Sequence, residues 1–261
     1  MEIASKFKFK FKWPLVLTIA CLANGALAQE GPPVTPFRPT VSSPAQLSAP
    51  GQLELEAGFL RANADDGGRN TLPYLFKLAF SDQWGLLVGR DAYVSARDDA
   101  GKPLRSIGDT FVELKRAFLV DKETAFGIEF NAKLPTESNS VGSGKADFTL
   151  NTIFSKDFGN LHMDANANLT RLGAPEAGTG HNQLGLSAAF STELAQHWGA
   201  DAELSGTHRP GADNTAQLLV AATYSPTKRA TFDIGIARGL NAASGNWSMF
   251  GGMVVPLAKL W

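Results

Sequence analysis

The sequence predicts an all-β protein: a transmembrane antiparallel β-barrel of about 12 strands with both termini in the periplasm. Three observations carry this reading. The first is alternation. In Leu161-His162-Met163-Asp164-Ala165-Asn166-Ala167-Asn168-Leu169-Thr170 every odd position is apolar and every even position is polar or charged. A strand built this way has one greasy face and one wet face. The pattern recurs about a dozen times, as expected when alternate residues meet lipid and a lumen. The second observation is a secretory start. The third is the aromatic end, Trp261.

Residues 1–28 read as a signal peptide. Lys6, Lys8, Lys10 and Lys12 form a basic n-region. Pro14 to Ala23 is an apolar stretch of about ten residues, too short to span a bilayer as a helix. Ala26-Leu27-Ala28 is a small-x-small cleavage site. Cys21, the only cysteine, lies inside this segment. The mature chain therefore has no disulfide, thiolate metal site or cysteine nucleophile. A lipoprotein would be cleaved before Cys21, but Thr18-Ile19-Ala20 is a poor lipobox. The chain carries 24 Lys+Arg and 25 Asp+Glu. Four of those lysines and Glu2 leave with the signal, so the remainder is weakly acidic, without a basic run. Nucleic acid is therefore not expected as a partner. No run of 18 apolar residues exists, so no transmembrane helix is expected.

Residues 29–50 contain Pro32, Pro33, Pro36, Pro39, Pro44 and Pro50. Proline at that density forbids strand pairing and favours extended chain. The segment reads first as a periplasmic leader; threading into the lumen as a plug is the alternative. The barrel follows over 51–261, with strands expected near 52–61, 71–80, 84–94, 107–119, 124–134, 146–157, 160–170, 181–192, 196–207, 214–224, 229–239 and 246–260. Tight links at 81–83, 120–123, 158–159, 193–195 and 225–228 alternate with longer ones at 62–70, 95–106, 135–145, 171–180, 208–213 and 240–245. Short periplasmic turns and long outer loops give that alternation. Phe80, Trp84, Phe118, Phe126, Phe158, Phe190, Trp198, Tyr224, Phe232 and Trp261 gather near the tight links, as an interfacial girdle would. Core aromatics of a soluble sandwich, the competing reading, would centre on the strands instead. Alternation points Arg90 and Arg116 outward, which a bulge would reverse. Pro73 and Pro256 fall within strands and call for bulges.

The lumen face then carries Glu54, Glu56, Lys77, Glu113, Lys115, Glu129, Asn131, Lys133, Asn151, His162, Asp164, Asn166, Asn168, Asp201, Glu203 and Asp233. Eight strands make a filled barrel and sixteen an aqueous channel, so about twelve leave either a salt-bridged interior or a narrow pore. The mixed signs predict weak charge selectivity.

The middle of the chain resembles an outer-membrane family, the MetA-pathway of phenol degradation transporters. The resemblance rests on Gly108-Asp109 opening a strand that runs on to Arg116, and on Gly127 to Thr136 with its Lys133-Leu134-Pro135-Thr136 end. Gly142 to Phe148, leading to Phe154-Ser155-Lys156-Asp157-Phe158-Gly159, completes it. The resemblance implies a channel or transporter for small solutes, with hydrophobic or aromatic compounds as the class. Met253, Val255, Leu257 and Trp261 have the spacing of an assembly signal read by the barrel-assembly machinery. Lys259 and Pro256 depart from it.

No cofactor, metal or catalytic site is expected. His162 and Asp164, two apart on a strand, are simply neighbours on one face. No metal spacing, phosphate loop or nucleophile elbow is present. Asp65-Asp66 and Asp98-Asp99 lack a calcium-loop pattern and read as solvated loops. The expected function is passive uptake or export of small solutes across the outer membrane, with lipid and solute as partners. A sealed surface-interaction barrel is the alternative, and a lipid hydrolase using His162 or His208 a distant one.

Overall fold

A computed structural model describes residues 30–64, 67–97, 101–137 and 143–261. The signal-peptide reading and the acidic pairs at 65–66 and 98–99 lie outside them. Alternating sequence becomes thirteen strands: β1 (Gln52–Ala64), β2 (Gly67–Ala79), β3 (Trp84–Arg97), β4 (Pro103–Ser106), β5 (Thr110–Leu119), β6 (Thr124–Leu134), β7 (Asp147–Phe158), β8 (Leu161–Arg171), β9 (Asn182–Ala195), β10 (Trp198–His208), β11 (Thr215–Thr227), β12 (Ala230–Gly239) and β13 (Trp247–Lys259). All but β4 close into one antiparallel barrel of 12 strands, sealed where β1 pairs with β13 from Gln52↔Lys259 to Asn63↔Trp247. Closure leaves no strand edge facing lipid, the condition for sheet to cross a bilayer.

The small strand β4 corrects the expectation of a plain loop over 95–106. The β3–β5 ladder stops at Arg90↔Thr110, yet β3 continues to Arg97. That overhang would be an unpaired edge. β4 folds back on it, pairing Val94↔Ser106 through Arg97↔Pro103.

Burial inverts the usual order. Phe126, Ile128 and Phe130 of β6 are exposed, while Glu129 between them is buried. Trp198, Leu204, Leu218, Val220, Ile234 and Ile236 are exposed in the same way. This outward apolar belt is the surface that a transmembrane barrel turns to lipid. Aromatic pairs brace it across strands. Trp198 and Tyr224 stand opposite each other with ring centroids 4.8 Å apart, and Phe126–Phe154 are 5.2 Å apart. Pairs of this kind contribute about 0.2–1 kcal/mol each. Pro73 and Pro256 both sit at irregularities, as does Pro226 of β11: the β2–β3 register shifts between Thr71 and Pro73, the β1–β13 register shifts at Glu54, opposite Pro256, and the β11–β12 register shifts between Tyr224 and Thr227.

Candidate functional site: the occupied lumen

The structure places the proline-rich segment in the lumen, the second of the two readings its composition allows. It enters at the periplasmic mouth, where Arg229 Nη1 donates to the Pro32 carbonyl (3.2 Å) and Val34 N donates to the Lys228 carbonyl (2.9 Å). It climbs along β1, with Thr35 N donating to the Glu54 carboxylate (3.2 Å) and Phe37 N to Glu56 Oε1 (2.7 Å). At mid-barrel it crosses: Ser42 N donates to Glu203 Oε2 (2.7 Å) and Ser43 N to Asn166 Oδ1 (2.9 Å). It then descends past Ala45, whose N–H donates to Ser155 Oγ (2.8 Å), and joins β1 at Gly51.

Proline chemistry explains how an unpaired chain survives there. A buried backbone N–H without an acceptor is costly. The prolines bring none, and the N–H groups of Thr35, Phe37, Ser42, Ser43 and Ala45 all find side chains of the wall. Four of the five accepting wall residues, Glu54, Glu56, Asn166 and Glu203, come from the inward face read off the alternation; Ser155 is the fifth.

Charge holds the segment as well. Lys77 Nζ lies 2.5 Å from Glu56 Oε1 and 3.1 Å from Glu54 Oε2, and also donates to the Thr35 carbonyl. Lys115 Nζ is 2.8 Å from Glu129 Oε1 and donates to the Pro44 carbonyl (2.5 Å). The Phe37 ring lies against both ammonium groups, at 4.4 Å from Lys77 and 3.9 Å from Lys115. Asn151 Nδ2 donates to Glu129 Oε2 (2.7 Å) and Asn131 Nδ2 to Glu113 Oε2 (3.2 Å), extending the network around the wall.

Arg38 is the strongest single tie. Its Nε and Nη2 donate to the two oxygens of Asp233 at 2.9 and 3.0 Å, a bidentate pair. The guanidinium lies over Gly58 and Gly252, which face each other across β1 and β13. A Cβ at Gly58 would come within 2.8 Å of the guanidinium carbon, and one at Gly252 within 2.6 Å of Nε. Only glycine leaves that floor open.

The segment divides the lumen. An outer cavity of about 580 Å³ is lined by Arg38, Tyr74, Arg90, Phe111 and Lys133 among others. A periplasmic cavity of about 480 Å³ is lined by Arg38, Thr40, His162, Asp164 and Asp201 among others. Glu113, Asn131 and Lys133 line a further outer hollow, and Asn168 lines another beside Val41. Every lumen candidate thus points inward, but they form no single cluster. Glu54, Glu56, Lys77, Lys115, Asn166, Glu203 and Asp233 contact the plug; Glu129 and Asn151 stand behind them in the wall network; the others face the cavities. Lys133, at the outer end, lies 2.6 Å from Asp147.

His162 sits between Asp157 (2.5 Å) and Asp164 (3.2 Å). The Ser155 hydroxyl donates to Asp164, not to the ring. That order does not build the serine–histidine–acid relay that nucleophilic hydrolysis needs. Arg38, Phe37, Ser42 and Ser155 are site residues that sequence reasoning missed. The surplus of inward carboxylates over inward cations on the strands was their one trace.

The sequence pattern of the family described as "Putative MetA-pathway of phenol degradation" matches residues 37–255, from the plug to the last strand. The chain belongs to that family. No curated protein matches the sequence. Among solved structures the fold is similar to the COG4313 outer membrane channel from Pseudomonas putida F1, with 12% identity and a TM-score of 0.65 over 85% of this chain and 99% of that one. It is also similar to the KdgM porin (12% identity, TM-score 0.55, 77% and 98% covered) and to the NanC porin (9%, 0.55, 78% and 98%).

Proposed function

We propose that this member of the phenol-degradation family is an outer-membrane channel that passes small solutes by diffusion, with residues 32–50 as its gate. The observation that carries the reading is that the outer and periplasmic cavities both reach Arg38. One plug residue and its immediate neighbours therefore stand between the two sides. A barrel of this size around an unplugged centre leaves a narrow pore. The channel and porin folds to which it is similar support the same reading.

Small apolar or aromatic compounds are the solute class we favour. Pro73, Tyr74, Leu75 and Phe111 give the outer cavity an apolar flank beside its charged residues, and its volume lies in the range of pockets that admit small organic compounds. The pathway in the family's description points the same way. Diffusion needs no chemical step, and we assign the protein no enzymatic activity. Trp261, exposed at the periplasmic end, is our candidate for the contact with the assembly machinery.

Single-channel conductance of the refolded protein, with and without residues 30–50, tests the reading. Brief openings in the full chain and sustained openings after deletion are expected. The second reading, a sealed barrel, draws on the density of hydrogen bonds between plug and wall. Silence in both proteins, with folded barrels, would establish it and end the channel proposal.

A further inference from the structure

Independently of any solute path, we propose that Arg116 binds the phosphate of a glycerophospholipid in the periplasmic leaflet, on the outside of the barrel wall. Lys115 and Ala117 flank Arg116 on β5 and are both buried in the lumen face. Alternation therefore turns Arg116 outward, on the same face as the exposed Leu114. Its cross-strand neighbours are Trp84 of β3 and Ile128 of β6, the latter also exposed to lipid. Trp84 is the first residue of β3, beside a tight periplasmic link, so Arg116 lies within the aromatic girdle, at headgroup depth.

The guanidinium is held but not satisfied. Its central carbon lies 5.0 Å from the Trp84 ring centroid and 4.5 Å from that of Phe118. Ring faces attract a cation but accept none of the in-plane hydrogen bonds of the planar fork. Nε is buried and has no hydrogen-bond partner, and no carboxylate pairs with Arg116 among the described residues. Arg90, the other arginine that alternation turns outward, instead lines the outer cavity, where its Nη2 donates to the Gly108 carbonyl at 2.8 Å.

A charge on a lipid-facing wall is retained where something pairs with it. The anion available at this depth is the lipid phosphate. Its two free oxygens match a guanidinium edge for bidentate hydrogen bonding. The two rings fix the plane of the fork beforehand, which lowers the ordering cost of binding. The acyl chains then lie along the belt of Leu114, Ile128 and Phe130.

Native mass spectrometry of the intact protein, released from detergent micelles containing phosphatidylglycerol and a diacyl glucoside with the same chains, tests this. The protein should retain one phosphatidylglycerol in preference to the phosphate-free glucoside. Equal retention of the two would overturn the proposal, and this comparison needs no variant. Arg116→Gln, with folding checked by heat-modifiable migration, should weaken phosphatidylglycerol retention about tenfold, while Arg116→Lys keeps part of it. Unchanged retention in Arg116→Gln would count against the site. Millimolar inorganic phosphate should leave the lipid bound; displacement by it would identify a free-phosphate site instead.

Discussion

Arg38 reaches Asp233 only by leaving water, and a guanidinium does that when a carboxylate and close packing replace its hydration. Asp233 is almost wholly buried, whereas Arg38 keeps 18% of its side-chain surface exposed to the cavities. Removing one partner of a fully buried pair costs about 3–5 kcal/mol, because the survivor is left uncompensated. Partial exposure lowers that figure here. The plug's remaining ties are hydrogen bonds from its backbone to wall carboxylates, amide, hydroxyl and carbonyl groups, and single contacts from Lys77, Lys115 and Arg229 to its carbonyls, so this bidentate pair is the natural latch. Asp233→Asn and Arg38→Gln should each raise the open probability of single channels. The double variant should add little to either single one, since both remove the same interaction. Additive effects, or gating unchanged in both single variants, would show that the plug is held elsewhere. Neither residue stands out in the sequence. Asp233 is one of many inward acids, and Arg38 lies in a segment with no period from which to read a facing.

Strands were legible because two solvents act on opposite faces of every one. Lipid demands apolar residues and the lumen accepts polar ones, so a period of two appears in the chain itself. On β10, Ala200, Ala202 and Leu204 alternate with Asp201, Glu203 and Ser205, and the structure keeps that order. Leu204 is exposed on the outer face opposite Leu218. Leu204→Arg should therefore destabilise the barrel by about 2–4 kcal/mol if it lies near the midplane. Ser205→Arg, one residue along, should cost much less because it meets the lumen. Urea titrations of folding into vesicles measure both; equal costs would mean that the register is wrong. The elements that stayed hidden lack this two-solvent pressure. β4 pairs only at the rim of β3, in a stretch whose composition reads as loop. The plug touches no lipid, so its extended backbone leaves proline as its only signature. That signature forbids a strand without saying on which side of the wall the chain runs.

Closing the barrel around its own N-terminal segment sets the charge of the whole molecule's interior. The wall contributes Glu54, Glu56, Glu113, Glu129, Asp164, Asp201, Glu203 and Asp233 against Lys77 and Lys115, with Arg229 at the periplasmic mouth; at the outer end Arg69, Arg90 and Lys133 are set against Asp91, Asp109 and Asp147. The plug offsets part of this excess with Arg38 and with the backbone N–H groups that Glu54, Glu56 and Glu203 accept. Mixed signs along the sequence suggest weak charge selectivity, and the intact lumen is expected to show it because most of these acids are engaged, with Asp201 Oδ2 and Glu203 Oε1 left without a hydrogen-bond partner among the described residues. Deleting residues 30–50 removes Arg38 and every plug N–H while leaving the acids in place. A narrow lumen with low-dielectric walls focuses the field of such a surplus and raises the local cation concentration. The deleted barrel should therefore be cation-selective, whereas the intact protein should discriminate little in its brief openings. Reversal potentials under a potassium chloride gradient read this directly. A shift toward the potassium equilibrium potential on deletion is the expected result. An unchanged or anion-directed potential would mean that the acids are neutralised within the wall, and that the plug blocks the pore without balancing its charge.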